Sequence, residues 1–144
     1  MKRIAIASDH GGYDQKQSLI PFITAMGFSV KDLGPENTAS VDYPDYAHMV
    51  SKLVSRGEAD FGILVCGTGL GMAIAANKVA GVRAVPVQTT QFAHLAREHN
   101  DANVLCLSGR FADDAINKAI VKTFLETEFA KGRHERRVAK LESD

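Results

Sequence analysis

The stretch FGILVCGTGLGMAIA, residues 61–75, combines a short apolar run, three glycines and the opening of a helix. The apolar run ends at Cys66 and has the length and composition of a strand buried on both faces of a parallel sheet. Gly67, Gly69 and Gly71 follow, and the alanine-rich segment after them favours a helix. A strand, a glycine loop and a helix N-terminus direct several backbone N–H groups at one point, which suits an anion. The stretch therefore predicts an α/β fold with an anion site at the strand end.

Strand-like and helix-like segments alternate along the rest of the chain. The predicted strands are 3–7, 28–33, 61–66, 82–87 and 104–107. The first predicted helix is closed by Gly27, and Pro21 marks a kink or a late start in it. The others are 46–54, a helix that opens after Gly71, 89–98 and 113–129. Residues 34–44 are predicted to form a surface loop, and residues 132–141 a basic helical tail.

This alternation predicts one domain over residues 1–144, a three-layer α/β/α Rossmann-like fold with a five-stranded parallel sheet and a basic C-terminal helical tail. If the strand order begins 2-1-3, the loops after the first and third strands meet at the switch point, where ligands of such sheets bind. Those loops contain Asp9-His10-Gly11 and Cys66 to Gly71. The positions of the fourth and fifth strands stay open.

Charge and cysteine content exclude several classes of protein. The formal net charge is zero, so no overall field favours nucleic acid or an anionic membrane. No apolar run reaches the roughly 20 residues that span a bilayer. Two cysteines forty positions apart do not form a disulfide framework, and we expect a reducing, cytoplasmic location.

Familiar motifs fail at the glycine loop. Met72 stands where a dinucleotide fingerprint needs its third glycine, no Walker lysine follows, and Leu64 replaces the first glycine of a nucleophile elbow. His94 and His99 are five residues apart, which places them on different faces of a helix. We therefore expect no cofactor and no protein-only metal site.

What remains at the loop is a thiol, the Thr68 hydroxyl and a cradle of amides. A buried cysteine at a strand end is more often an inert small hydrophobe. The glycine loop favours the other reading for Cys66, because it stabilises a thiolate and offers a place for an oxyanion. Cys106 has no such loop and is predicted to be inert. His99 is either a helix C-terminal histidine that the dipole stabilises or an acid–base group in a loop, and both readings stay open.

Arg133 and Arg137 are four residues apart and would share one face of a helical tail. Such a cluster is usually a solvated helix end, but Val138 and Leu141 give this tail an apolar edge that favours docking. Two docked guanidiniums would bind a phosphate well. Arg110, just after the fifth strand, is predicted at the carboxyl edge and could join them.

Six segments together resemble the type B ribose-5-phosphate isomerases, which share a family with the galactose-6-phosphate isomerase subunits. They are Asp9-His10-Gly11, Asp42-Tyr43-Pro44, 63–78, Gly81-Val82-Arg83-Ala84, 99–104 and Gly132-Arg133-His134. The resemblance covers essentially the whole chain. Its most specific element is Cys-Gly-Thr-Gly-x-Gly followed by Ala-Asn-Lys.

The resemblance implies a metal-independent aldose–ketose isomerase that works through an enediolate. It makes Cys66 the base that moves a proton between C2 and C1, with Thr68 and the loop amides holding the enediolate oxygens. It makes His99, with Asp9 nearby, the group that opens the sugar ring. The substrate-binding residues it implies are Asp9, His10, Tyr43, Gly67, Thr68, Gly69, Leu70, Gly71, Asn100, Arg110, Arg133 and Arg137.

The resemblance also implies a homodimer whose active sites lie between subunits, with the tail from about residue 131 docked on the partner. Whether dimers pair into tetramers stays open. The expected reaction is the interconversion of ribose 5-phosphate and ribulose 5-phosphate. The alternatives are a hexose 6-phosphate substrate, such as allose or galactose 6-phosphate, and a non-catalytic phosphosugar-binding module. The thiol of Cys66 argues against the last, because binding alone needs amides and arginines.

Overall fold

The computed structural model describes residues 2–143, which form one five-stranded sheet with helices on both faces. The strands are β1 (Arg3–Ser8), β2 (Ser29–Asp32), β3 (Phe61–Cys66), β4 (Ala84–Pro86) and β5 (Val104–Ser108). The helices are α1 (Tyr13–Ala25), α2 (Tyr43–Ser55), α3 (Leu70–Ala76), α4 (Thr90–Asn100), α5 (Asp114–Glu126) and α6 (Arg133–Leu141). A 3-10 turn, His10–Gly12, links β1 to α1. The predicted α/β/α class with a five-stranded parallel sheet and a helical tail is confirmed.

The sheet is entirely parallel, in the order β2-β1-β3-β5-β4. The predicted start, 2-1-3, is confirmed. The last two strands are exchanged relative to their order in the chain, so that β5 pairs with β3 and the short β4 forms the edge. In register, Ser8 pairs with Val65 and Cys66 pairs with Ser108. The carboxyl ends of the three central strands therefore lie side by side.

Two apolar layers enclose the sheet. One contains α1, α4 and α5, and the other contains α2 and α3. All six residues of β3 are buried, because this central strand is covered on both faces. The continuous apolar run from Phe61 to Cys66 follows from that position. No helix within residues 2–143 combines the length and apolar character needed to cross a membrane.

Three helices differ from the sequence-based expectation, and one of them, α5, ends at Glu126 rather than at residue 129. Helix α2 begins at Tyr43 rather than at residue 46, because Pro44 lies in its first turn, where a missing N–H leaves no bond unmade. Helix α1 begins at Tyr13, so of the two alternatives for Pro21 the late start is wrong, and the proline lies within the helix. Both Pro21 and Gln17, four residues earlier, are exposed, so water can bond the carbonyl that the proline leaves free.

Helix α4 connects the two edges of the sheet. It begins just after the carboxyl end of β4 and ends at Asn100, just before the amino end of β5. The amino edge is marked by the N–H of Asn103, which donates to the carbonyl of Arg83, and by the N–H of Gly62, which donates to the carbonyl of Asn103. Because α4 runs back along the sheet, its last turn lies at the edge opposite to Cys66.

Candidate active site

Cys66 is the last residue of β3 and its side chain faces the glycine loop. The residue is only 6% exposed, and its Sγ accepts a hydrogen bond of 3.1 Å from the N–H of Gly69. Gly69 has φ +83° and precedes α3, and a Cβ there would lie 3.2 Å from the Leu107 carbonyl. The Thr68 hydroxyl accepts from the N–H of Leu70 at 3.1 Å. The loop thus directs a backbone N–H donor at the sulfur of Cys66.

The turn after β5 is hydrogen-bonded to this loop. The N–H of Gly109 donates to the Cys66 carbonyl at 2.8 Å, and the N–H of Arg110 donates to the Gly67 carbonyl at 3.2 Å. The Ser108 hydroxyl also donates to the Gly67 carbonyl, at 2.7 Å. These three bonds fix Arg110 against the loop that carries the thiol.

The guanidinium of Arg110 lies between two glycines. A Cβ added to Gly11 would lie 3.3 Å from Nη2, and one added to Gly67 would lie 3.2 Å from Nη1. Both distances are shorter than an ordinary carbon–nitrogen contact, so a side chain at either position would press on the guanidinium. Because both positions are glycine, the Arg110 side chain has room to lie between the loop that follows β1 and the loop that follows β3.

Asp9 and His10 follow β1 at the same edge. Asp9 is 9% exposed, and its Oδ1 accepts from the N–H of Gly12 at 3.1 Å. The ring of His10 accepts at Nδ1 from the N–H of Val41 at 3.3 Å. A neutral imidazole that accepts at Nδ1 carries its proton on Nε2. His10 can therefore offer an N–H donor to an anion.

Tyr43 borders the glycine loop from α2. A Cβ at Gly71 would lie 2.6 Å from Cε1 of the Tyr43 ring, so the ring occupies the space that a side chain at 71 would fill. The glycine loop also borders a cavity of about 270 Å³, lined by Thr68 and Leu70 together with residues 86–89 and Phe92. The side chains that share this edge form what is called here the carboxyl-edge cluster: Asp9, His10, Tyr43, Cys66, Thr68 and Arg110.

The remaining predicted site residues lie at the other edge. His99 and Asn100 form the end of α4, and the His99 ring stacks on His134 with centroids 4.4 Å apart and planes at 15°. Loss of hydration, followed by the charge of His99, lowers the pKa of His134, and the two tail arginines add to this shift. These side chains form the amino-edge cluster: His99, Asn100, Arg133, His134 and Arg137.

Within one chain, therefore, Asp9 lies far from His99, and Arg110 lies far from the tail arginines. Four residue steps along β3 separate Gly62 from Cys66, about 13 Å at the rise of a strand. The reason is the direction of α4, which runs back to the amino edge over its eleven residues. Each chain therefore carries the predicted site residues in two separate clusters, one at each edge of the sheet.

Two residues that contact the predicted site residues were not themselves predicted as site residues. Ser108 supports the glycine loop from the neighbouring strand, and its position at the end of β5 was the only available signal. His134 stacks on His99, but in the tail only Arg133 and Arg137 were assigned to the site. Nothing in the sequence pattern indicates that the two rings meet.

The second cysteine, Cys106, is buried in β5 and takes no part in either cluster. Burial raises the pKa of the Cys106 thiol, and the nearby Cys66 raises it further. Cys106 is 1% exposed and stays protonated, as predicted for an inert residue. Among residues 2–143, His, Cys, Asp and Glu form no group of three or more that could hold a metal ion.

The chain is similar to known proteins over nearly its whole length. Residues 4–141 match the family described as Ribose/Galactose Isomerase. The probable ribose-5-phosphate isomerase B of Mycoplasma genitalium is 48% identical over 140 residues, which cover 96% of this chain and 92% of that protein. The ribose-5-phosphate isomerase B of Escherichia coli is 43% identical over 138 residues, 96% of this chain and 93% of that protein.

Solved structures agree with these matches. A ribose 5-phosphate isomerase from Thermotoga maritima has a TM-score of 0.96 and 48% identity, and the match covers 99% of each chain. The Mycoplasma genitalium ribose-5-phosphate isomerase B with bound ribulose-5-phosphate has a TM-score of 0.93 and 48% identity, covering 96% of this chain and 93% of that one. The chain therefore belongs to the ribose/galactose isomerase family.

Proposed function

We propose that the protein is an aldose–ketose isomerase that interconverts ribose 5-phosphate and ribulose 5-phosphate. Relatives at 43–48% identity bear the name ribose-5-phosphate isomerase B, and one of their structures contains ribulose-5-phosphate. The observation that carries the proposal is the position of Cys66. Its Sγ lies at the end of a buried strand and accepts from the N–H of Gly69, in the glycine loop whose Thr68 lines the cavity.

The proposed chemistry is a proton transfer between neighbouring carbons. The Cys66 thiolate takes the proton from C2 of the open-chain aldose, and the C2–H electron pair forms the C1–C2 double bond of an enediolate. Charge then appears on O1, where backbone N–H groups of the glycine loop and the Thr68 hydroxyl stabilise it. The thiol returns the proton to C1, O2 loses its proton to O1, and the ketose forms. One oxyanion donor of this kind is typically worth about 3 kcal/mol.

The phosphate group provides the binding energy that aligns the sugar. From the carboxyl-edge cluster, Arg110 supplies a guanidinium and His10 an Nε2–H donor. Arg133 and Arg137 would add two more guanidiniums, and Tyr43 and Asn100 would line the sugar. Ring opening needs a group that moves the proton of the ring oxygen, and we assign this to His99 together with Asp9.

These assignments require two subunits. One chain holds its two clusters at opposite edges of the sheet, so the amino-edge cluster must come from a partner if it is to meet Cys66. A two-fold axis achieves this and forms two equal sites. Leu70 and Phe92 line the cavity and are 55% and 61% exposed, and Ile74, one turn after Leu70 in α3, is 65% exposed. Large apolar side chains grouped in this way favour coverage by another protein surface. We therefore propose a homodimer, with the tail from about residue 131 serving the partner's site.

The test is an isomerase assay on pentose 5-phosphates and hexose 6-phosphates, combined with NMR of proton exchange at C2 of the substrate. We expect ribose 5-phosphate to be preferred, and Cys66→Ala to lose both isomerisation and exchange while the fold and phosphate affinity persist. Cys106→Ala is the matched control, because it removes the other buried thiol without touching the loop.

Each alternative has its own result. Preference for a hexose 6-phosphate would refute the assigned substrate but not the chemistry. Phosphosugar binding without isomerisation of any substrate would indicate a binding module. Exchange at C2 that persists in folded Cys66→Ala would exclude the cysteine as the base.

A further inference from the structure

Arg83 lies at the amino edge and bonds to two separate elements. Its Nη1 donates to Oε1 of Glu142 at 2.8 Å, and its Nε donates to the carbonyl of Asp101 at 2.9 Å. Its Nη2 lies 3.4 Å from Oδ2 of the same aspartate. Glu142 also accepts from the N–H of Gly81 at 3.1 Å. One guanidinium, with its side chain 19% exposed, thus joins the turn after α4 to the residue that follows α6.

The first of these elements carries His99. Asp101 ends α4 in the left-handed region with φ 47°, two residues after that histidine. Nη1 of Arg97, 2.7 Å from Oδ1, and Nη2 of Arg83 hold its carboxylate from two sides. A residue other than glycine keeps this conformation only when its surroundings stabilise it. The orientation of the last turn of α4 therefore depends in part on Arg83.

The second element carries Arg137. None of the residues of α6 is buried, so apolar packing within the chain does little to fix this helix. At its start, His134 stacks on His99. At its end, the side chain of Glu142 makes the polar contacts to Gly81 and Arg83. Eight residues separate these two anchors, about 12 Å along a helix, and Arg137 lies between them.

We propose that Arg83 is a positioning residue that, through Glu142 and Asp101, fastens the tail to the end of α4. It thereby sets the spacing between His99 and Arg137 before any substrate binds. The inference rests on the proposed function, because it assumes that the amino-edge cluster binds the sugar phosphate. With Glu142 released, α6 keeps one anchor, and the guanidinium of Arg137 is no longer held at a fixed distance from the His99 ring.

An isolated surface ion pair contributes little to folding, so the effect should appear in binding rather than in stability. We therefore test Glu142→Gln, which keeps the shape of the side chain and removes its charge. The control is Glu126→Gln, which removes one charge from the exposed pair that Glu126 forms with Lys122 within α5. The readouts are kcat, KM for ribose 5-phosphate, the inhibition constant of inorganic phosphate, the melting temperature, and the rate of tryptic cleavage within the tail.

For Glu142→Gln we expect KM and the phosphate inhibition constant to rise together by about tenfold, which corresponds to about 1.4 kcal/mol. The kcat at saturation and the melting temperature should match the control, while trypsin cleaves the tail faster. Arg83→Gln should raise KM at least as much, and adding Glu142→Gln to it should cause little further loss, since both act through one contact.

A Glu142→Gln enzyme with KM and phosphate inhibition equal to those of the control would overturn the inference. So would a loss confined to kcat, or losses that simply add in the double variant. Arg137→Ala distinguishes this failure from failure of the proposed function. If Arg137→Ala weakens phosphate inhibition but Glu142→Gln does not, the cluster binds phosphate without the Arg83 anchor. If Arg137→Ala has no effect either, the role proposed for the tail is itself wrong.

Discussion

Mixing two inactive variants tests whether each active site takes its residues from two chains. We choose Cys66→Ala, at the carboxyl edge, and Arg137→Ala, in α6. Each variant alone has a lesion in every site and is expected to be nearly inactive at low substrate concentration. In a mixed dimer with sites shared across the two-fold axis, one site receives both lesions and the other receives none. Unfolding the two variants and refolding them together forms such dimers.

The expected recovery follows from random pairing. Equal amounts of the two chains give mixed dimers as about half of the total, and each mixed dimer has one intact site of two. Isomerase activity should therefore return to about a quarter of the wild-type value. The assay is ketose formation from ribose 5-phosphate at a concentration well below KM.

The chain provides a matched negative control in Arg110→Ala. Arg110 contacts the same glycine loop that carries Cys66, so the two residues belong to the same half of the site. Mixing Cys66→Ala with Arg110→Ala leaves one lesion in every site and should restore nothing. Isotopic labelling of one chain, followed by mass spectrometry of the intact dimer, shows whether subunits have exchanged. No recovery with Arg137→Ala after verified exchange would refute the shared site and would assign the tail to its own chain.

Three further predictions concern single features. In Gly71→Ala the new Cβ would lie 2.6 Å from the Tyr43 ring, so we expect the ring to be displaced and kcat/KM to fall; normal kinetics would show that the ring is not needed there. A hydrogen bond from Lys118, then bonds from two polar neighbours, lowers the pKa of Asp114 from 3.8 to about 2. Because this carboxylate is more acidic in the folded state, its contribution to the free energy of unfolding is complete above about pH 4 and is lost as the pH falls towards 2. Urea unfolding at several pH values should show the difference between wild type and Asp114→Asn shrinking over that range, and a constant difference would contradict the assignment. Finally, iodoacetamide should inactivate the enzyme by labelling Cys66, more slowly with ribose 5-phosphate present, whereas chelators should leave activity intact; activity lost to a chelator and restored by a divalent ion would overturn the metal-free mechanism.

The central part of the fold was predictable because its signals are local. The apolar run to Cys66 and the glycines after it specify a buried strand and a tight connection, and both are observed. The same logic groups Asp9, Cys66 and Arg110, because loops that follow parallel strands meet at one edge. The start of α2 was missed because Pro44 was taken as a loop residue, although proline is common in a first helical turn.

The position of His99 at the amino edge follows from a signal that the sequence analysis did not use. A helix that follows a parallel strand must return to the amino edge before the next strand begins, so the end of α4 lies far from Cys66 of the same chain. The stacking of His134 on His99 had no such signal. It depends on the turn before α6, where Lys131 and Gly132 both have φ of 62°, and a tertiary turn of this kind is not encoded by periodicity.

If the two clusters meet only across a dimer, as we propose, catalysis depends on protein concentration. A folded single subunit would then have half a site at each edge of its sheet and no complete one. Below the dissociation constant of the dimer, the amount of dimer varies with the square of the total protein, so activity per chain should fall in proportion to dilution. Dilution alone would then inactivate the enzyme although every chain stays folded. Concentrating the same solution would restore activity at the rate at which the subunits associate.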